Sequence, residues 1–157
     1  MTKAKLDEHL GARGVLKMSG LISKPSLIQL NKLAGLATEV EFKPEEIIIT
    51  AQHPATTLYV IEEGLVAILL GLGSGRELQI QTASKNDIIG WSAILPQYRY
   101  QSMVRAIEKT RVLAFDGKEL RSLCQDDHDL GYAIYSGIIG IVAKRLQNTY
   151  LQLAGIT

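Results

Sequence analysis

Between residues 41 and 116 the chain is cut into short β-branched runs by turn residues, and that rhythm sets the fold class. Residues 47–50, 58–61 and 65–70 are too short for helices and rich in strand formers. Gly71, Gly73, Ser74 and Gly75 mark a connection of several residues before the alternating run 76–82, so the two runs read as a hairpin. Residues 84–87 form a turn cluster ahead of Ile88, Ile89 and Gly90, and 100–106 and 110–115 supply two more strands. Many short strands at regular spacing predict an α+β fold built on an antiparallel β-roll or jelly-roll barrel.

Helical patterns flank this region. Ser26 is placed to cap a helix on which Leu27, Leu30, Leu33, Ala34 and Ala37 recur at steps of three and four. Pro25 limits the helix before it, and residues 1–14, with a weaker pattern, are expected to fray. Asp116 is a plausible N-cap, with Glu119 in the following turn and Leu120, Leu123 and Cys124 on one face. Residues 126–129 open a long helix to about Leu153. It carries one apolar stripe at Ile134, Ile138 and Ile141, and another at Ile139, Val142, Leu146, Tyr150 and Leu153. One stripe can cover the barrel; the other predicts a homodimer seam, or else burial within its own chain. Gly131, Gly137 and Gly140 weaken this helix but permit close backbone approach. The chain thus reads as one domain over 1–157: helices in 1–40, the β-roll in 41–116 and the C-terminal helices in 117–157.

Composition removes whole classes of function. The 157 residues hold 17 Lys and Arg against 16 Asp and Glu, a net charge of +1, which leaves no electrostatic footprint for nucleic acid. One cysteine, Cys124, excludes an internal disulfide and a multi-thiolate zinc site. His9, His53 and His128 are widely separated, and no metal site is expected. No run of 18 apolar residues is present, and the start lacks the apolar block of a secretory signal, so a cytoplasmic protein without a membrane span is expected. Nothing resembles a nucleophile elbow or a helical metalloprotease motif, so an enzyme is not expected. The glycine-rich stretch 71–76 lacks a Gly-Lys-Ser/Thr ending and precedes a strand, which makes it a hairpin turn rather than a phosphate loop.

Several motifs together resemble the cyclic-nucleotide-binding domain family, which includes catabolite-activator-type effector domains. Residues 42–48, Phe-Lys-Pro-Glu-Glu-Ile-Ile, are similar to its aromatic-x-x-Gly-x-x-Ile strand. Residues 53–66, from His53-Pro54-Ala55 through Leu58-Tyr59 to Gly64-Leu65-Val66, are similar to its Asp-Pro-Ala-x-x-Leu-Tyr-x-Ile-x-x-Gly-x-Val segment. Asn86-Asp87-Ile88-Ile89-Gly90 resembles the Gly-Asp-x-x-Gly that leads into its phosphate-binding cassette, and residues 103–106 match the strand leaving it. Residues 144–149 match a stretch of the activator-type dimerisation helix. The resemblance covers about residues 15 to 155. It implies a cyclic phosphate held by a short turn-helix, an Arg on that phosphate, a Glu on the ribose, and signalling by movement of the C-terminal helices.

At the cassette the chain departs from that pattern. Trp91 stands where the family places its ribose Glu, and Tyr100 where it places its phosphate Arg; Gln101 and Ser102 follow. Trp cannot accept hydrogen bonds from a ribose, and a Tyr hydroxyl supplies neither charge nor a guanidinium fork. The adjacent Arg99 would reach the anion only through a one-residue bulge, since strand alternation otherwise points it away. Trp91 either stacks on a ligand or fills the vacated space. Thr149 matches a purine-contacting hydroxyl of activator-type members, or else lines the helix seam. The candidate ligand-binding residues are therefore Ile89, Gly90, Trp91, Ser92, Ala93, Arg99, Tyr100, Gln101, Ser102 and Thr149. Two functions follow: a sensor of a small nucleotide-like or anionic ligand, with cyclic AMP doubtful, or a ligand-free dimeric scaffold that binds a protein effector. No winged helix-turn-helix follows the long helix in this sequence, so direct DNA binding is not expected.

Overall fold

The computed structural model describes residues 3–156. Helices α1 (Lys3–Ser19) and α2 (Leu27–Ala34) lead into eight strands: β1 (Thr38–Phe42), β2 (Ile47–Ile49), β3 (Thr57–Glu63), β4 (Leu65–Gly73), β5 (Arg76–Ser84), β6 (Ile88–Ile89), β7 (Met103–Ala106) and β8 (Thr110–Asp116). A 3-10 helix, Trp91–Ile94, separates β6 from β7, and α3 (Gly117–Asp126) and α4 (His128–Leu153) follow. The strands form two four-stranded antiparallel sheets, ordered β1-β8-β3-β6 and β2-β7-β4-β5. Buried side chains from both sheets build the core: Leu58, Val60, Val112 and Phe115 from the first, Val66, Ala83 and Val104 from the second. Alternation of these residues with more exposed neighbours is what fixes the register.

Local chemistry accounts for the boundaries. Ser26 caps α2 in a reciprocal box: its hydroxyl accepts from Gln29 N–H at 3.2 Å, and Gln29 Oε1 accepts from Ser26 N–H at 3.0 Å. Asp116 and Asp127 cap α3 and α4 with one bond each and no returning partner among the described residues, accepting from Glu119 N–H and Leu130 N–H. Of the segment expected to fray, residues 3–14 lie within α1, and residues 1 and 2 lie outside the described residues. Two expectations need correction. The helical part ends at Ala34, so Ala37 lies outside α2, and Thr38 to Val40 already pair with β8 as strand. The glycine-rich connection is shorter than expected: β4 continues to Gly73, leaving only Ser74 and Gly75, both with positive φ, as the turn. Two left-handed residues close such a hairpin with the twist its strands require. Glu45 (φ 73) and Asn86 (φ 72) hold the same conformation where the motifs of the resembled family carry glycine.

Helix α4 packs by its inner face on α3 and on residues 20–23, which follow α1. Leu130, Ile134 and Ile138 are buried, and the backbone comes so close at Gly137 that an added Cβ would sit 2.4 Å from the carbonyl oxygens of Gly20 and Leu21. Gly131 packs on Cys124 in the same fashion, whereas Gly140 faces open space. The outer stripe stays uncovered: Ile139 is 67% exposed, Tyr150 61% and Leu153 82%. Among the described residues no helix is long and apolar enough to cross a membrane.

Candidate functional site

The site is the segment between β6 and β7. Ile88 and Ile89 are buried and anchor its start, and Gly90 turns the chain at φ 73. Only glycine fits there: a Cβ would lie 2.7 Å from Thr57 O and 3.1 Å from Ile49 Cδ1. The 3-10 helix then buries Ser92, Ala93 and Ile94 and leaves Trp91 half-buried. One contact fastens the segment to α3: Arg121 Nη1 donates to Ala93 O at 2.6 Å.

Tyr100 closes the cavity from the opposite side. Its hydroxyl donates to Thr57 O at 2.6 Å and accepts from Thr57 N–H at 2.9 Å, so the ring is pinned inward and its polar tip is fully used. Burial pushes its pKa up, opposed by those bonds to Thr57. Trp91 is covered by Arg145 of α4, whose guanidinium carbon sits 5.0 Å from the ring centroid. Arg145 also donates to Ile88 O at 3.0 Å and to Gln81 Oε1 at 3.3 Å. Burial lowers its pKa from the ordinary guanidinium value, and the Asp87 carboxylate opposes that shift. It remains a cation, since an Arg side chain does not deprotonate in proteins.

The space left is about 110 Å³, lined by Ile49, Ile68, Ile89, Gly90, Trp91, Ser92, Tyr100, Gln101, Ser102, Val104 and Arg145. That holds on the order of four waters at ~30 Å³ each. It falls below the roughly 300–1,000 Å³ of ordinary small-molecule sites.

Seven of the ten candidate residues meet here: Ile89, Gly90, Trp91, Ser92, Tyr100, Gln101 and Ser102. Three do not. Arg99 makes no inward bulge; it stays outside, donating from Nη1 to Gln52 O at 2.6 Å and bridging to Pro54. Ala93 lies behind the cavity, its carbonyl taken by Arg121. Thr149 is exposed on α4, and its hydroxyl donates to Arg145 O at 3.0 Å. The residue that the sequence reading overlooked is Arg145. Its signal was its place four residues before Thr149, one helical turn back on the same face. The three apolar lining residues Ile49, Ile68 and Val104 carried no signal beyond strand burial.

Comparison with known proteins gives the family and the fold. The model of the cyclic nucleotide-binding domain matches residues 39–127, more than half of the chain. The chain is 30% identical over 111 residues to a protein of Rhodopseudomonas palustris that carries a potassium channel name, covering 70% of this chain and 26% of that protein. It is 26% identical over 117 residues to the cAMP-activated global transcriptional regulator CRP of Pasteurella multocida, covering 74% of this chain and 54% of that one. It therefore spans about a quarter and about half of these two relatives. Among solved structures, a cyclic nucleotide-binding domain from Methylobacillus flagellatus superposes with a TM-score of 0.84 at 15% identity, covering 96% of this chain and 85% of that one.

Proposed function

Because the chain belongs to the cyclic nucleotide-binding domain family, we propose that it is a regulatory domain whose cassette is occupied by its own side chains and that signals through α4 without a standard cyclic nucleotide. The observation that carries this reading is Tyr100. It stands at the position the family gives to the phosphate Arg, with both hydrogen-bonding capacities of its hydroxyl spent on Thr57. A cyclic phosphate entering there would have to break two short hydrogen bonds and would find no charge in return from that position. At the ribose position Trp91 offers a ring already taken by Arg145. Arg145 in turn ties the cassette to α4, so the pair performs from within the chain the linkage that a bound ligand would otherwise supply.

The outer stripe of α4 supports assembly as a homodimer. Tyr132, Tyr135, Ile139, Val142, Leu146, Thr149 and Leu153 follow one another at alternating steps of three and four. That spacing is a heptad seam, and a second copy of the same helix meets it across a two-fold axis. Thr149 then serves the seam rather than a purine.

Calorimetric titration of the chain with cyclic AMP and cyclic GMP tests the reading. The expected result is no saturable heat and no rise in melting temperature at millimolar nucleotide. A ligand at ~100 times its dissociation constant would add about 2.7 kcal/mol, which a melting curve detects. Micromolar binding of either nucleotide overturns the proposal. The double variant Trp91→Glu, Tyr100→Arg is expected to gain measurable affinity for cyclic AMP.

A second reading rests on Arg145. Its guanidinium borders the residual 110 Å³, so a small anion is the ligand class that this cavity still suits.

A further inference from the structure

Arg145 borders a second and larger cavity. A groove of about 810 Å³ runs between β5 with the turn that follows it and α4, and the end of α1 closes it through Met18 and Ser19. Its size lies within the roughly 300–1,000 Å³ of small-molecule sites. Four amides line the walls: Gln79 and Gln81 on the strand side, Asn148 and Gln152 on α4. Gln81 Oε1 already accepts from Arg145 at 3.3 Å and Gln152 Nε2 donates to Ile80 O at 2.6 Å, which leaves the amides of Gln79 and Asn148 without partners among the described residues. Ile80, Ile88 and Ile141 supply apolar surface between them.

Charge and hydrogen-bonding capacity narrow the ligand. Two cations, Lys144 and Arg145, face a single carboxylate, Asp87. One oxygen of Asp87 is already engaged by Ser84 N–H at 2.9 Å. Lys144 belongs to no ion pair among the described residues. The groove therefore favours an anion. Asn86 lines the same groove, but its Oδ1 is sealed from solvent and has no hydrogen-bond partner among the described residues, so it is not one of the groups offered to a ligand. Side-chain amides of Asn and Gln match the paired donor and acceptor on a purine edge. The partly exposed side chains of Ile80 and Ile141 supply apolar surface for the face of the base.

We propose that this groove binds a linear purine nucleotide, with its phosphate on Lys144 and Arg145 and its base edge against the amides of Gln79 and Asn148. A phosphomonoester carries about −2 near neutral pH and suits the paired cations better than the single charge of a cyclic phosphodiester. The site differs from the cassette cavity and meets it only at Arg145. The proposal goes beyond the regulatory reading and does not depend on the cassette being closed. Phosphate in the groove competes with the Trp91 ring for the Arg145 guanidinium, so occupancy is read by α4.

Calorimetry of the full chain with 5′-AMP and 5′-GMP provides the test. Saturable one-site binding of at least one of them is expected, weakened about tenfold by Lys144→Gln through loss of a charge-assisted contact. Asn148→Leu is expected to weaken it similarly. Both residues are exposed, and circular dichroism checks that the variants fold. Trp91→Phe, which keeps an aromatic face under Arg145, leaves affinity unchanged within twofold. Three results each overturn the proposal: no saturable heat with either nucleotide at millimolar concentration, binding that survives both groove substitutions, or binding lost in Trp91→Ala but kept in Lys144→Gln. Cyclic AMP binding that ignores Lys144→Gln would instead overturn the closed cassette and leave the groove standing.

Discussion

The two faces of α4 are equally apolar in sequence and opposite in circumstance. Ile134 and Ile138 on the inner face are buried within the domain, while Ile139 and Leu146 on the outer face meet solvent. Both sets are spaced for a helix, so hydrophobic periodicity alone does not separate a residue that holds the domain together from one left facing solvent. Backbone approach does separate them: Gly137 on the inner face has no room for a Cβ, and Gly140 has open space. Inner-face substitutions should therefore act on unfolding, and outer-face substitutions on association.

The largest expected effect tests the inner face. Gly137→Ala would drive a methyl into two carbonyl oxygens and should cost about 3 kcal/mol in urea unfolding, as overpacking does at its upper range. Gly140→Ala is expected to be neutral or slightly stabilising. Ile134→Ala should cost a similar ~3 kcal/mol by leaving a cavity, whatever the protein concentration. On the outer face, Leu146→Glu should weaken dimerisation at least about a hundredfold in sedimentation equilibrium while leaving monomer unfolding within ~0.5 kcal/mol. A wild-type chain that sediments as a monomer at high micromolar concentration would break the comparison outright.

Smaller effects sharpen it at the cassette. Tyr100→Phe leaves the N–H and C=O of Thr57 without their partner and should cost about 2 kcal/mol in the same unfolding assay. The smallest expected effect concerns Glu62. Burial raises its pKa first, the charge of Glu39 adds to this, and the Arg111 guanidinium at 3.1 Å opposes it. A carboxyl whose folded pKa exceeds its unfolded one holds its proton more tightly in the native state. Its contribution is therefore most favourable in acid and declines as pH rises from the ordinary carboxylate range through the folded value. Glu62→Gln should flatten that decline in urea midpoints measured from mildly acidic to neutral pH.

Much of the architecture was legible because it rests on local rules. Ser26, Asp116 and Asp127 announce three helix starts, and the strands from 47 to 115 are short, β-branched and bounded by turn residues. The misreadings were also local. Thr38 to Val40 follow a helical segment without a break in hydrophobic pattern, and only pairing with β8, more than 70 residues away, makes them strand. At the site, Trp91 and Tyr100 could be placed by their distance from Gly90 and Arg105. Their neighbours could not. The bond from Tyr100 to Thr57 spans 43 residues, and Arg145 reaches Ile88 across 57. No spacing rule covers such distances. Arg99 shows the converse: strand alternation alone, without the bulge, gives its outward position.

The chain contains a single tryptophan, and it is Trp91, beneath a guanidinium at the joint between roll and long helix. Its intrinsic fluorescence thus reports on that joint alone, free of background from other indoles. Emission colour and quenching should follow whether the cation sits over the ring, so the protein carries its own optical gauge of the distance between cassette and α4, with no dye attached.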